Sequence, residues 1–347
     1  MRILWLAPEP PVAPLSGGRE RAQRMLCYLA ARHRVLLVTF ATEAEADAAR
    51  DLPGPVEQLT FPYLAGRLAP VRRWRVKLAI LAAARRFRPD ALHVQGAEMW
   101  PYLPPGRRPR RILDCHDAPE IAAAGARLQP PPRAIIAVSE PDAARLRASW
   151  PETPLCVVPN GVDLAWWQAV QGAPEPGLLL YPAALNWPPN QEAAVTLVNE
   201  IMPHLRALGA GAELVIAGRQ PSLGLRALAA ANHDVTLVAD PPDMRPWFAR
   251  ATAVVVPAHQ AAGTRLKILQ ALAAGRPVVS TPEGAAGLPF AAGEHLLVAP
   301  LVAPFAEALA GLLADARQRQ ALVRAGQAVV AGQDWQQLLP ALAEVYG

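Results

Sequence analysis

Short apolar runs recur along this chain, and the stretches between them return an apolar residue every three or four positions. Residues 3–7, 35–40, 91–95, 111–115, 134–138 and 156–158 read as buried strands in the first half. Residues 177–181, 213–217, 235–238, 253–256, 277–280 and 295–298 do so in the second. Brief apolar runs suit strands covered on both faces, and the alanine- and leucine-rich spacing between them suits helices. Strand and helix in regular alternation predict an α/β protein with two doubly wound, Rossmann-like parallel sheets. Pro159, Asn160 and Gly161 form a turn signal after an apolar strand, and the segment up to Pro176 is rich in Trp, Gln, Gly and Pro. The expected organisation is therefore a first domain over 1–159, a second over 160–330 and a terminal helix over 331–347.

Open parallel sheets bind ligands at the carboxyl ends of their strands, which selects a small set of polar residues. Gly17 and Gly18 follow the first strand, His116 and Asp117 follow the run ending at Cys115, and Ser139 and Glu140 follow the run to Val138. Gly218 and Arg219 follow the strand 213–217. The densest signal is 263–281, GTRLKILQALAAGRPVVST. Gly263 and Thr264 stand where a helix would start, with Thr264 able to cap it, and Gly275 supplies a stop before an apolar strand. A helix start offers unpaired N–H groups and a partial positive charge, which suits a phosphate. Lys267 lies one turn in, on the face of Gly263, with Gln270 a turn further. Arg265 falls on another side of the helix. Among 34 basic residues only Lys77 and Lys267 are lysines, so a compact ammonium stands where a phosphate is expected.

Composition narrows the class. The 347 residues are 52% hydrophobic, enough for two cores, and no apolar run approaches the roughly 18 residues of a membrane span. The apolar start is too short for a secretory signal, so a soluble cytoplasmic protein is expected, either free or peripheral at the inner face of the membrane. Cys27, Cys115 and Cys156 are scattered, without metal-ligand spacing, so neither disulfides nor a bound metal is expected. Charge is uneven. Residues 1–150 hold 23 Arg or Lys against 14 Asp or Glu, and residues 151–347 hold 11 against 15. A basic front half fits either an anionic partner or a solvated arginine-rich surface. Arg72, Arg73, Trp74, Arg75, Lys77, Arg85, Arg86 and Arg88 concentrate this charge on one helical stretch. It could touch an anionic bilayer or, through its alanines, simply pack on the sheet. Nucleic acid is disfavoured, because the cations are not interleaved with a run of aromatics.

Taken together, SGGRERAQRML near the start, RPDALHVQG, LDCHD, AVSEPDAARLR, VVPNGVD, ELVIAGRQP and the 263–281 segment resemble the retaining glycosyltransferases of the GT-B fold, closest to family 4. Trp335 before a short terminal helix fits as well. The resemblance implies a nucleotide-sugar donor on the second domain, and a sugar, lipid-linked or small-molecule acceptor on the first, with a cleft between them. It implies a glycine loop at Gly17 and Gly18 near the donor phosphates. His116 and Asp117 would lie beside the transferred sugar, and Arg219 near the diphosphate. Gly263, Thr264, Arg265 and Lys267 would sit at the phosphates and Gln270 at the ribose. Retention at the anomeric carbon without metal or other cofactor is implied, in the setting of cell-surface polysaccharide, glycolipid or secondary-metabolite glycosylation.

The chain departs from that pattern in three places. Two glutamates with seven residues between them are common in the family, and here Ala262 and Gln270 replace them. The Arg and Lys usual after the second domain's first strand are replaced in a segment that offers Trp187 and Asn190. A degenerate GT-B protein that binds a nucleotide sugar or a partner chain is the alternative reading; nucleotide-sugar epimerisation lacks an evident carboxylate and histidine set.

Overall fold

The computed structural model describes residues 1–12, 17–52, 54–63, 69–106, 109–115, 128–170, 172–260 and 266–346, the side chains of 69–72 excepted. Every strand expected from the apolar runs is present, within a few residues at each end. The first sheet contains β1 (Arg2–Ala7), β2 (Arg34–Phe40), β3 (Val56–Phe61), β4 (Ala91–Gln95), β5 (Arg110–Cys115), β6 (Ala134–Ala137) and β7 (Leu155–Val157). Its order is β3-β2-β1-β4-β5-β6-β7, and its strands pair in parallel. The second contains β8 (Leu178–Ala184), β9 (Glu213–Arg219), β10 (Val235–Ala239), β11 (Ala253–Val256), β12 (Val278–Ser280) and β13 (Leu297–Val298), in the order β10-β9-β8-β11-β12-β13, again parallel.

β3 is the strand that the apolar pattern did not reveal. It reads VEQLTF, lies at the sheet edge and is half-buried at every position. An edge strand covered on part of its surface has no continuous apolar run to announce it.

The chain divides into two compact units, Met1–Pro159 with Leu338–Gly347, and Asn160–Gln337. In the first, Leu4, Leu6, Val38, Val94, Leu113 and Ile135 form the sheet's share of a core closed by Val76, Ile80 and Phe87 of helix α3 (Ala69–Phe87). Helices α1 (Gly17–Ala30) and α2 (Glu43–Ala49) follow β1 and β2. In the second unit, Leu179, Tyr181, Ile216, Val255 and Val279 pack against Leu197, Ile201 and Phe305 of the covering helices. Strand order reverses between β1 and β4 in one sheet and between β8 and β11 in the other. Those reversals leave a crevice beyond the strand ends, because the connections on either side run away from each other.

Candidate functional site

The helix Leu266–Ala273 follows β11 at the second unit's reversal point. Leu266, Ile268, Leu269 and Leu272 are buried, which anchors the helix and leaves Lys267 and Gln270, three positions apart, as its two half-buried residues. The Lys267 ammonium lies 4.7 Å from the centre of the Tyr181 ring, which offers its electron-rich face to the cation. It donates to Asn190 Oδ1 at 3.4 Å. Asn190 is held in turn, since its Nδ2 donates to the Ala184 carbonyl at 2.9 Å and its backbone carbonyl accepts from the Tyr181 hydroxyl at 3.2 Å. The amide oxygen is thereby aimed at the lysine.

Burial alone pushes Lys267 down to about 8, and among the described residues no carboxylate bears on it. Burial also pushes the Tyr181 phenol up, so that ring remains neutral beneath the ammonium. A desolvated cation that meets one amide oxygen and one ring among the described residues is under-compensated by them, and a bound anion would complete it.

Arg219 ends β9, next to the β8 side of the same reversal point. A Cβ at Gly218 would run into the Ala183 carbonyl, so glycine is needed there for β8 and β9 to approach. Beyond Arg219, Gln220 adopts φ 51° and Asp240, just past β10, adopts φ 50°. The Gln220 amide donates to Asp240 Oδ1 at 2.9 Å. Two left-handed non-glycine residues tied together at adjacent strand ends are a costly arrangement, the kind concentrated where a backbone must be preset for a ligand.

In the first unit, Gly17 and Gly18 fall in the first turn of α1, beside the β1/β4 reversal, and not in a loop as the resemblance implied. The switch from strand to helix is complete by Gly17, so these glycines offer helix-start N–H groups in place of a flexible turn. A Cβ on Gly18 would meet no atom within 4 Å, so nothing in the described protein demands glycine there. The next residue, Arg19, is buried and paired with Glu9 at 2.7 Å and Glu45 at 2.6 Å.

Arg21, fully buried, donates to Asp114 Oδ1 at 3.2 Å and to the carbonyls of Val158 at 2.7 Å and Pro159 at 3.3 Å. Asp114 Oδ2 stands 3.6 Å from His93 Nε2, and His93 Nδ1 is hydrogen-bonded to the Tyr346 hydroxyl. This network joins α1, β4, β5, the end of the first chain passage and the returning C-terminal segment.

The sequence-selected residues thus divide. Lys267, Gln270 and Arg219 lie around one reversal point, and Gly17 and Gly18 around the other. His116 and Asp117, together with Ala262, Gly263, Thr264 and Arg265, lie outside the described residues. Ser139 serves its own helix, accepting from the Asp142 amide at 3.2 Å as an N-cap. Tyr181 and Asn190 were not selected as site residues. Tyr181 ends the apolar run 177–181 and Asn190 stands in the segment that lacks the family's Arg and Lys, and neither pattern marks a binding residue. Among the described residues no group of three His, Cys, Asp or Glu is placed to hold a metal ion.

Residues 15–166 match the family described as Glycosyltransferase Family 4, and residues 176–315 match the one described as Glycosyl transferases group 1. No curated protein matches the sequence. Among solved structures the fold is similar to that of HepE from Anabaena in complex with UDP and glucose, at 14% identity and a TM-score of 0.75 over 100% of this chain and 99% of that one. It is similar to sucrose-phosphate synthase from Thermosynechococcus elongatus at 17% identity and 0.77, over 100% and 98%. WaaG, a glycosyltransferase involved in lipopolysaccharide biosynthesis, aligns at 16% and 0.70, over 99% of each chain. With a family 4 domain followed by a group 1 domain on two Rossmann-like sheets, the chain is that of a GT-B-fold glycosyltransferase.

Proposed function

We propose that this glycosyltransferase moves a sugar from a nucleotide-sugar donor to a hydroxyl acceptor, with retention and without a bound metal. The observation that carries the reading is Lys267, a half-buried and desolvated ammonium at a strand-reversal point with no carboxylate bearing on it among the described residues. Solved structures of HepE with UDP and with UDP-glucose, on a similar fold, support a nucleoside diphosphate as the anion. Lys267 and Arg219 take the diphosphate together with Gly263, Thr264 and Arg265. Gly17 and Gly18 let it approach α1, and Gln270 meets the ribose. His116 and Asp117 stand beside the transferred sugar.

In the step itself, the bond from the anomeric carbon to the β-phosphate oxygen breaks, and a bond to the acceptor oxygen forms on the same face. The acceptor proton passes to the departing phosphate oxygen, so no separate carboxylate base is needed. Lys267 and Arg219 stabilise the charge that grows on that leaving group, which is electrostatic catalysis by fixed cations. The acceptor is a sugar, a lipid-linked sugar or a small molecule, modified in the cytoplasm in the course of polysaccharide or related glycoconjugate synthesis. Replacement of both family glutamates, at Ala262 and Gln270, favours a second reading, a binding protein that has lost turnover.

Calorimetry with a panel of nucleoside diphosphates and nucleotide sugars, followed by an assay for released nucleoside diphosphate, tests both readings. Binding plus turnover, with the product anomer determined by NMR, supports transfer. Binding without turnover for any donor supports the second reading, and no binding at all overturns both.

A further inference from the structure

Helix α3 presents an unusual outer face. Val76, Ile80, Ala84 and Phe87 are buried in the first unit's core, which fixes the helix's rotation about its axis. The opposite side then carries Trp74, 64% exposed, and Leu78, 44% exposed, one turn apart. Ala82 continues the same line, exposed, one turn further. Arg75, Arg85 and Arg86 flank this apolar line, all exposed, with Arg73 and Lys77 exposed nearer the sheet. The 19 residues of α3 include no Asp or Glu.

Among the described residues the nearest neutralising group is Glu57 of β3. It stands 3.9 Å from Arg86 while bonding Arg34 at 3.0 Å. A solvated helix face normally mixes both signs of charge and keeps large apolar groups inward. This face does neither, and alanine packing toward the sheet, which explains the inner side, leaves the outer side unexplained.

We propose that the outer face of α3 docks this protein on an anionic lipid bilayer. The helix lies flat, with Trp74 and Leu78 entering the headgroup–acyl boundary and Arg75, Arg85 and Arg86 meeting lipid phosphates. Charge complementarity selects an anionic surface. The Trp and Leu at the centre select a bilayer over a nucleic acid, because a polyphosphate backbone rewards the cations and leaves the apolar pair in water. Two apolar side chains make a shallow anchor, so attachment is reversible and depends on salt. No helix among the described residues is long and apolar enough to cross a membrane, and this mode requires none. Docking is independent of the proposed transfer reaction, because it is measured with no donor present.

The test is co-sedimentation of the full chain with vesicles of phosphatidylcholine alone or with 30% phosphatidylglycerol, in low salt and in 0.5 M salt. Binding is expected only to the anionic vesicles at low salt. Arg75→Glu with Arg85→Glu should weaken it at least 25-fold, at about fivefold for each cation removed. Trp74→Ser with Leu78→Ser should weaken it about tenfold with charge unchanged. Arg317→Glu with Arg324→Glu, reversing exposed cations of the second unit, should change it less than twofold. Thermal melts and diphosphate calorimetry on every variant separate loss of docking from loss of fold or of the donor site. Equal binding to both vesicle types would overturn the proposal, as would indifference to the Trp74 and Leu78 changes. Tighter binding to single-stranded nucleic acid than to vesicles would also overturn it.

Discussion

Arg21 and Lys267 each lie beside the reversal point of their own sheet, Arg21 after β1 and Lys267 after β11. Each is a cation below the surface, on a helix that follows a strand at the point where the strand order reverses. Arg21 is answered from within the chain by the Asp114 carboxylate and two backbone carbonyls. Among the described residues Lys267 is answered by an amide oxygen and an aromatic ring, and burial pushes it down to about 8. A buried charge answered by a carboxylate holds a fold together, and one answered among the described residues by neutral groups alone is suited to an anion that arrives. The difference sets a cation tied to a carboxylate of its own chain apart from one met only by neutral groups among the described residues.

The largest effect is expected on the Arg21 side. Arg21→Met leaves the Asp114 carboxylate buried without its main counter-charge, which should cost about 3–5 kcal/mol of stability. The urea midpoint reads this loss, and the double variant Arg21→Met with Asp114→Leu should recover most of it. A loss below about 1 kcal/mol in the single variant would break the distinction between the two cations.

Lys267→Met should behave in the opposite way. The melting temperature should hold or rise, because a desolvated charge is removed. Affinity for UDP should fall by about 1.5–3 kcal/mol, roughly 10- to 150-fold, while affinity for uridine barely changes. Equal losses for both ligands would detach Lys267 from the phosphates.

The pH dependence follows with its sign fixed. Lys267 titrates near 8 in the folded chain against an ordinary 10.5, so between these values the unfolded chain holds a proton that the folded chain has lost. Its contribution to stability therefore rises with pH across that window. Diphosphate binding has the reverse sense. It needs the ammonium, so affinity should fall up to tenfold per pH unit above 8, and Lys267→Met should flatten the profile. Calorimetry from pH 6.5 to 9.5 on both forms measures it, and identical slopes would remove the lysine from the site.

The smallest effect belongs to Gln270. A carboxylate there would accept from the ribose hydroxyls more strongly than the amide does, so Gln270→Glu should tighten donor binding by up to about tenfold. Weaker binding by the variant would place the ribose elsewhere.

The residues that were legible in the sequence were those with local causes. Buried parallel strands announce themselves as apolar runs, so all were found except β3, whose Glu57, Gln58 and Thr60 suit an edge. The spacing of Leu266, Leu269 and Ala273 revealed a helix, and the scarcity of lysine drew attention to Lys267 on it. The cationic character of α3 could be read directly, whereas the outward exposure of Trp74 could not, because it depends on which face the sheet takes.

By itself, then, the sequence determined the α/β class, the two-domain division of strands and helices, and the positions of charge along the chain, since each depends on residues a few places apart. Tertiary structure decided what those charges meet. Asp114 reaches Arg21 across 93 positions, and Asn190 reaches Lys267 across 77. Whether a buried cation finds a carboxylate or an amide depends on which strand ends the sheet order brings together, and no local pattern encodes that order.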